Sequence, residues 1–176
     1  MVCHSILLEK LNKLGITGKV LSWIREFLIG RVMNVVVDHQ YSQTHEVHSG
    51  VPQGSVLGPL LFLLYVNFLT HDITANTNIF ADDLKIYIAI KTDSPHNIMH
   101  DIAICQRDID CLCRVSSSWG LTMNVDKCAV VRFNRRVVDW PSLPVSGQYN
   151  LNGLPIPIKE SAVDLGILVD STLKFY

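Results

Sequence analysis

Residues 50–67 read GVPQGSVLGPLLFLLYVN, and residues 79–87 read IFADDLKIY. Glycines and prolines are concentrated at the start of the first string, next to a long apolar run. This composition predicts a rigid loop that feeds the N-terminus of a buried helix, where unpaired backbone N–H groups point outward. In the second string, strand-like residues flank Asp82 and Asp83, which predicts a tight β-hairpin with two carboxylates at its bend.

The apolar run from Val56 to Leu69 is expected to be a buried helix. It is 14 residues long and contains Gly58, Pro59 and Asn67, whereas a membrane span needs about 20 predominantly apolar residues. The first residues, MVCHSILLEKLNKLG, lack a cationic segment followed by an unbroken apolar stretch. Neither a membrane location nor secretion is therefore expected.

Three further helices are predicted, two before the apolar run in the sequence and one after it. Apolar residues at helical spacing predict helices over residues 4–14, from the N-cap Thr17 to Gly30, and over residues 95–119. The longest of them is expected to be amphipathic. Its apolar side would contain Ile98, Ile102, Cys105, Ile109 and Leu112, with Asp101 and Asp108 on the other side.

Strands are predicted from β-branched stretches between turn residues. Residues 31–38 and 44–48 are expected to form a hairpin joined through Asp38 to Ser42. Residues 134–150 contain three proline and glycine positions typical of a surface excursion. The order of elements predicts an α+β fold with mainly antiparallel pairing. The remaining strand-like segments are 127–133 and, interrupted around Gly166, 154–169.

The amino-acid composition limits the classes of function that the chain can have. Lys and Arg number 15 against 16 Asp and Glu, a net charge of −1, which excludes a generally basic protein that coats nucleic acid. Charged residues are 18% of the 176 residues, an unusually low share that indicates surface covered by further protein. The five cysteines are odd in number and have no C-x-x-C spacing, so they are expected to be reduced thiols of an intracellular protein.

Two adjacent aspartates on a tight bend are costly to place, because like charges repel and apolar flanks favour burial. A cation is therefore expected beside Asp82 and Asp83. Mg²⁺ bound by carboxylates and substrate phosphates would meet this requirement, and paired ions are the usual device for in-line phosphoryl transfer. The alternative is that both residues are solvated turn residues.

The strings around this pair resemble the reverse transcriptases of non-LTR, LINE-like retrotransposons. Residues 50–67 resemble that family's motif B, and residues 79–87 resemble its motif C. WGLTMNVDKCAVVRF, at 119–133, is similar to motif D, and VDLGILVD, at 163–170, is similar to the element that leads toward the thumb. Residues 5–31 resemble the segment after motif A. Five segments thus recur in the family's order.

The resemblance implies a polymerase palm, an antiparallel sheet packed by helices, with part of the fingers and the start of the thumb connection. On this basis the chain is expected to be one partial reverse transcriptase domain. Residues 1–49 would follow motif A and contain a fingers or palm hairpin. Residues 50–133 would contain motifs B, C and D, and residues 134–176 would contain the excursion and the palm-to-thumb strands.

The resemblance also implies catalytic and metal-binding roles. Asp82 is the stronger candidate ligand for Mg²⁺ or Mn²⁺, and Asp83 is the second carboxylate; the alternative for Asp83 is a turn residue that only tunes the electric field. Lys127 corresponds to the motif D lysine near the pyrophosphate leaving group. Its alternative is a salt-bridged surface lysine. Lys127, Arg132, Arg135 and Arg136 form either a phosphate-binding patch or a solvated face.

Substrate-binding roles follow in the same way. Pro52, Gln53 and Gly54 match the PQG of motif B, a loop that in the family lies against the incoming nucleotide and template. Pro52 and Gly58 have a purely architectural alternative. Phe80 would lie beside the primer end, and its alternative is core packing. None of the seven histidines has zinc-site spacing, so none is assigned to a metal.

Three functions remain open from the sequence. The first is an RNA-directed DNA polymerase core that uses an RNA template, a DNA primer and dNTPs together with the upstream and thumb segments of a parent polyprotein. Only Val2 and His4 match the end of motif A, so the first catalytic aspartate is expected to precede Met1 and the chain to be inactive alone. The second function is therefore a non-catalytic, truncated retroelement relic with weak nucleic-acid binding. The third is an unrelated α+β binding module.

Overall fold

The computed structural model describes residues 2–133 and 149–172, which form two compact units. The first unit combines the described residues up to His71 with Ile79–Leu84 and Val115–Thr122. The second combines Asp72–Asn78, Lys85–Arg114 and the described residues from Met123 onward. Each unit is therefore assembled from separate stretches of the chain.

The predicted helices are all present. Thr17 occupies the N-cap position of the second helix, but its side chain makes no capping hydrogen bond, so that part of the prediction is wrong. The first helical residue, Gly18, has a φ of +60°, which departs from the regular first turn that a capping side chain requires. The helices are α1 (His4–Lys13), α2 (Gly18–Leu28), α3 (Leu57–Val66) and α4 (Pro95–Ser118), with 3₁₀ turns at Asn67–Thr70 and Val125–Lys127.

The predicted hairpin after α2 consists of two short ladders. Asp38 and His39 form its bend with φ values of +47° and +63°, and the next two residues pair as a strand although a turn was predicted there. A two-residue bend with positive φ matches the twist of a hairpin, which explains why the turn is shorter than expected. The antiparallel pairs are β1 (Val32–Met33) with β4 (His45–Glu46), and β2 (Val36–Val37) with β3 (Gln40–Tyr41).

The remaining strands also pair two by two. The predicted strand at 127–133 is shortened because Val125–Lys127 form a 3₁₀ turn. The interrupted segment at 154–169 is divided among several strands. These pairs are β5 (Asn76–Phe80) with β6 (Asp83–Tyr87), β8 (Asn150–Leu151) with β9 (Leu154–Pro155), β11 (Ser161–Asp164) with β12 (Ile167–Asp170), and β7 (Val130–Val131) with β10 (Ile158–Lys159), the last pair being parallel.

The α+β class with mainly antiparallel pairing is confirmed. The strands do not, however, join into one sheet: in the described ranges they form six two-stranded sheets. Most of the described strands are only two residues long. None of the helices in the described part of the chain combines the length and apolar character needed to cross a membrane.

Each unit has its own hydrophobic core. In the first, α1, α2 and α3 bury their apolar faces together, and in the second, one face of α4 packs against residues from the later strands. The first core is centred on Leu7, Leu11, Leu28, Leu61 and Tyr65. The second is centred on Ile98, Ile102, Ile109, Tyr149 and Leu151.

Candidate functional site

The aspartate pair lies at the bend of the β5–β6 hairpin, as predicted. Ala81 and Asp82 form the two-residue bend, and Asp83 begins β6. Ala81 has a φ of +52°, a left-handed conformation that costs a residue with a Cβ roughly 1–2 kcal/mol. Both aspartates are exposed. The expectation that the flanking strands bury them is wrong, because the tight bend carries the pair beyond the apolar part of the ribbon.

The carboxylates of Asp82 and Asp83 suit a hard divalent cation, but they are only part of the ligands that such an ion needs. Asp82 and Asp83 present carboxylate oxygens, the ligands that Mg²⁺ and Mn²⁺ prefer. Within residues 2–133 and 149–172, no three or more His, Cys, Asp or Glu side chains come together to hold an ion. A two-ion centre bridges its ions with additional carboxylates. The pair therefore fits as one part of such a centre.

The loop before α3 is a tight turn fastened to that helix. The carbonyl oxygen of buried Pro52 accepts hydrogen bonds from the backbone N–H of Ser55 (3.3 Å) and from its hydroxyl (2.7 Å). The Ser55 hydroxyl also accepts from the N–H of Gly58 at 3.0 Å. Gly54 has a φ of +78°, which favours glycine. The side chain of Gln53 remains exposed.

Close packing explains the glycine in α3. A Cβ on Gly58 would stand 2.5 Å from the Pro52 carbonyl oxygen and 2.9 Å from the Ser55 hydroxyl. Neither distance is tolerated by a real side chain, so the loop can fold back on the helix only because Gly58 has no Cβ. The architectural alternative for Pro52 and Gly58 is thus supported by these contacts.

The start of this loop is fastened to the N-terminal residues. The His4 Nε2 atom lies 2.7 Å from the Gly50 carbonyl oxygen, and the Gly50 N–H donates to the Val2 carbonyl at 2.8 Å. Cys3 and Ser49 form an isolated antiparallel bridge between these contacts. His4 is buried. The two residues that match the end of motif A thus hold the residue from which the PQG loop begins.

The loop and the hairpin rest on one core. Val51, just before Pro52, and Ile79, just before Phe80, both pack against the hydrophobic core of the first unit. A common core fixes the two segments in the same compact unit. Of the predicted site residues, that unit contains Pro52, Gln53, Gly54, Phe80, Asp82 and Asp83.

Phe80 and Lys127 are surface residues. Phe80 ends β5 with 63% of its area exposed, so the core-packing alternative is wrong. Lys127 belongs to the second unit, at the end of a 3₁₀ turn, and is exposed. It forms no ion pair with residues of the described ranges. Of the other basic residues near it, Arg132 is half-buried, whereas Arg135 and Arg136 lie outside the described residues.

The core of the first unit contains a buried lysine. The Lys10 ammonium donates to the Tyr65 carbonyl at 3.3 Å and lies over the rings of Phe68 and Trp119. Removal from water, together with the charge of Lys13, lowers the pKa of Lys10 to about 7. The Tyr65 hydroxyl donates to the Trp119 carbonyl at 2.6 Å. These bonds fasten α1 and α3 to the residues that follow α4.

Comparison with known proteins identifies the family. The family described as reverse transcriptase (RNA-dependent DNA polymerase) matches residues 1–163 of the chain. The chain belongs to the reverse transcriptase family. The third sequence hypothesis, an unrelated binding module, is therefore wrong.

Relatives of this reverse transcriptase chain are polymerases of mobile elements. It is 31% identical over 158 residues to the RNA-directed DNA polymerase from mobile element jockey of Drosophila melanogaster, covering 86% of the chain and 16% of the relative. It is 29% identical over 183 residues to the jockey polymerase of Drosophila funebris, covering 99% and 19%. The probable RNA-directed DNA polymerase from transposon BS of D. melanogaster is 29% identical, with the same coverage. The chain spans less than a fifth of these relatives.

Sequence reasoning missed two residues that support the hairpin of this reverse transcriptase chain. Asp101 and Asp108 were predicted on the polar side of α4, but both are buried. They accept hydrogen bonds from backbone N–H groups just outside β5 and β6. In the sequence, two aspartates seven residues apart look like any solvated helix face. The partners are backbone groups of distant segments, so no pattern within the helix identifies them.

Proposed function

We propose that this chain is the palm core of a retroelement's RNA-directed DNA polymerase, which extends the 3′-OH of a primer on an RNA template with dNTPs. One observation carries the proposal: in a chain of the reverse transcriptase family, two exposed carboxylates stand at a two-residue bend. Segments adjoining the PQG loop and that bend pack on the same core. The assignment of residues 1–49, 50–133 and 134–176 to parts of one palm domain belongs to this proposal.

Asp82 and Asp83 are the proposed ligands of Mg²⁺ or Mn²⁺. When bound, such ions stabilise the negative charge that develops on the transferred phosphoryl group. The protein's part is to hold the carboxylates outside the core and in water, where they can accept a hydrated ion. The left-handed Ala81 makes the bend tight, so the two carboxylates leave the ribbon at its tip.

The turn at 52–55 is the proposed nucleotide and template surface. Its shape is fixed by the Ser55 and Gly58 contacts, so the exposed Gln53 amide can donate and accept hydrogen bonds from a rigid support. Gly54 has no side chain, which lets a sugar or base approach the backbone. Exposed Phe80 offers an aromatic face next to the bend, suited to stacking beside a primer end.

Lys127 is the proposed partner of the leaving pyrophosphate. As an exposed cation without an ion-pair partner among the described residues, it is available to a phosphate. Because Lys127 lies in the second unit, this role depends on the arrangement of the complete polymerase.

An intracellular location, which the five free cysteines suggest, is also proposed for this chain.

A second candidate is a non-catalytic retroelement relic. The observation that favours it is that only two acids meet at the bend within the described ranges, whereas two-ion chemistry uses more. We therefore expect the 176-residue chain alone to give no primer extension above an Asp82→Ala variant. Asp82-dependent synthesis that requires Mg²⁺ would establish the enzyme and reject the relic.

Metal binding tests the proposed site without requiring activity. In the ¹⁵N-labelled chain, Mn²⁺ is expected to weaken the amide signals of residues 81–84 through paramagnetic relaxation. Changing Asp82 and Asp83 to Asn should abolish the effect. Asp38 is the matched control, because it is also exposed at a two-residue bend with positive φ. Asp38→Asn should leave the effect unchanged, and equal broadening at both bends in the native chain would contradict a specific site.

A further inference from the structure

The hairpin that carries the acid pair is held at its base by a buried carboxylate of α4. Asp108 is 1% exposed. Its Oδ2 atom accepts hydrogen bonds from the backbone N–H groups of Thr74 at 2.9 Å and Ala75 at 2.7 Å. These two residues immediately precede β5. The beginning of the first strand is therefore fixed to one turn of the helix.

Arg107 completes this contact. Its guanidinium lies 3.0 Å from Oδ1 of Asp108 and donates to the Thr74 hydroxyl at 2.6 Å. A buried carboxylate is costly unless a cation and hydrogen-bond donors surround it. Both carboxylate oxygens of Asp108 are used in this way. The contact is therefore a complete polar cluster, with the geometry of each partner fixed by the others.

A second carboxylate of α4 holds the other end of the ribbon. Asp101 is also buried, and its Oδ2 atom accepts from the backbone N–H of Lys91 at 2.9 Å. Lys91 follows the end of β6 by four residues. His100 lies 3.6 Å from the other oxygen of Asp101. Asp101 and Asp108 are seven residues apart, which is about 10.5 Å along a helix.

We propose that Asp108 and Asp101 are positioning residues that set the register of the β5–β6 hairpin and so the place where Asp82 and Asp83 present their carboxylates. A slip of one residue in a strand reverses the face of every side chain. Two attachments to one helix, one just before β5 and one after β6, hold both ends of the hairpin against such a slip. The inference rests on the proposed metal-binding function of the pair.

The test uses the full chain and four variants. Asp108→Ala removes the acceptor and should weaken the Mn²⁺ affinity of residues 81–84 by about tenfold, the usual effect of losing a supporting partner. Asp108→Asn keeps a carbonyl acceptor and should restore most of the affinity. Asp110→Asn is the matched control, because Asp110 is exposed on the same helix and accepts from the Gln106 side chain rather than from the backbone beside the hairpin. Should Asp108→Ala fail to fold, Asp101→Ala replaces it.

A second readout does not depend on metal. Nuclear Overhauser contacts between β5 and β6 report the register of the hairpin, which Asp108→Ala should alter and Asp108→Asn should preserve. Lower thermal stability in Asp108→Ala with unchanged contacts and unchanged Mn²⁺ affinity would overturn the inference and leave a purely structural role. If the native chain shows no Mn²⁺ effect at the bend, the proposed function fails, and the contacts alone then decide whether Asp108 sets the register.

Discussion

Lys10 shows how one buried amine makes stability depend on pH. Its pKa is lowered to about 7 by burial, whereas an unfolded lysine titrates near 10.4. Between these values the unfolded chain binds one more proton than the folded chain. Stability contributed at this position therefore increases as the pH rises from about 7 to about 10, by up to about 1.4 kcal/mol per pH unit.

Lys10→Met should remove this dependence. The measurement is the free energy of unfolding in urea at pH 6.5, 8 and 9.5, compared between the native chain and the variant. Because thiols and tyrosines titrate in both proteins, the difference between the two free energies of unfolding isolates the effect of Lys10. The free energy of unfolding of the native chain should increase relative to that of the variant as the pH rises. Lys19→Met, which changes an exposed lysine of α2, is the control variant. A flat difference for Lys10→Met would mean that the aromatic rings keep the amine protonated.

At the residue scale, the sequence was informative where a property is local. The bend position of Asp82 could be predicted because strand-like residues flank it. Exposure of the pair could not, since it depends on how far the bend extends from the core. His4 was recognised only as the end of a motif, and its bond to Gly50 joins residues 46 positions apart.

An ion pair within the second unit connects β6 with β11. The Lys85 ammonium on β6 donates to Oδ2 of Asp164, at the end of β11, at 2.6 Å. Both side chains are 38% exposed. Solvent screens such a pair, so its contribution is expected to be about 0.5–1 kcal/mol.

A double-mutant cycle with Lys85→Met and Asp164→Asn should measure that coupling in urea denaturation. High salt should reduce it, because partly exposed charges are screened. The more exposed Glu9–Lys13 pair of α1 is the control, and its coupling should be smaller. Equal coupling in the two pairs would contradict a specific link between the hairpins.

At the element scale, helices were predicted better than strands. Helix positions follow from a periodic apolar face, which is a local pattern. Strand lengths depend on which partner is available, and within the predicted strand at 127–133 only Val130–Val131 pair, with Ile158–Lys159. Nothing in the sequence of either segment indicated that these two strands pair in parallel.

The reactivity of the cysteine thiols depends on their surroundings in each of the two units. All five cysteines are free. The Ser5 hydroxyl and the Ile6 backbone N–H lower the pKa of partly exposed Cys3 in the first unit. Burial raises the pKa of Cys105 and of Cys128 in the second unit. The thiolate is the reactive form.

Iodoacetamide at pH 7.5 should therefore alkylate Cys3 about tenfold faster than Cys105 in the folded chain. Mass spectrometry of peptides over time gives the two rates. Ser5→Ala should slow the reaction of Cys3, since it removes the largest cause of the lowered pKa. Comparable rates for Cys3 and Cys105 without denaturant would contradict the buried position of Cys105.

At the scale of the whole molecule, the family and the α+β class could be predicted from the sequence. The division into two units could not. It depends on contacts between stretches that are far apart in the chain, such as α1 with Trp119. Sequence patterns suggest units built from consecutive segments, whereas in the folded chain each unit is formed by the apolar faces that pack together, wherever they lie in the sequence.

The composition of the first unit has a consequence for synthesis on the ribosome. Its last stretch, Val115–Thr122, leaves the exit tunnel long after α1, α2 and α3 have been made. Until then Trp119 is missing from the ring cluster around Lys10, and the nascent helices lack part of their apolar partner surface. Folding of this unit must therefore wait for about fifty intervening residues, and during that delay the nascent chain is a substrate for chaperones that bind apolar segments.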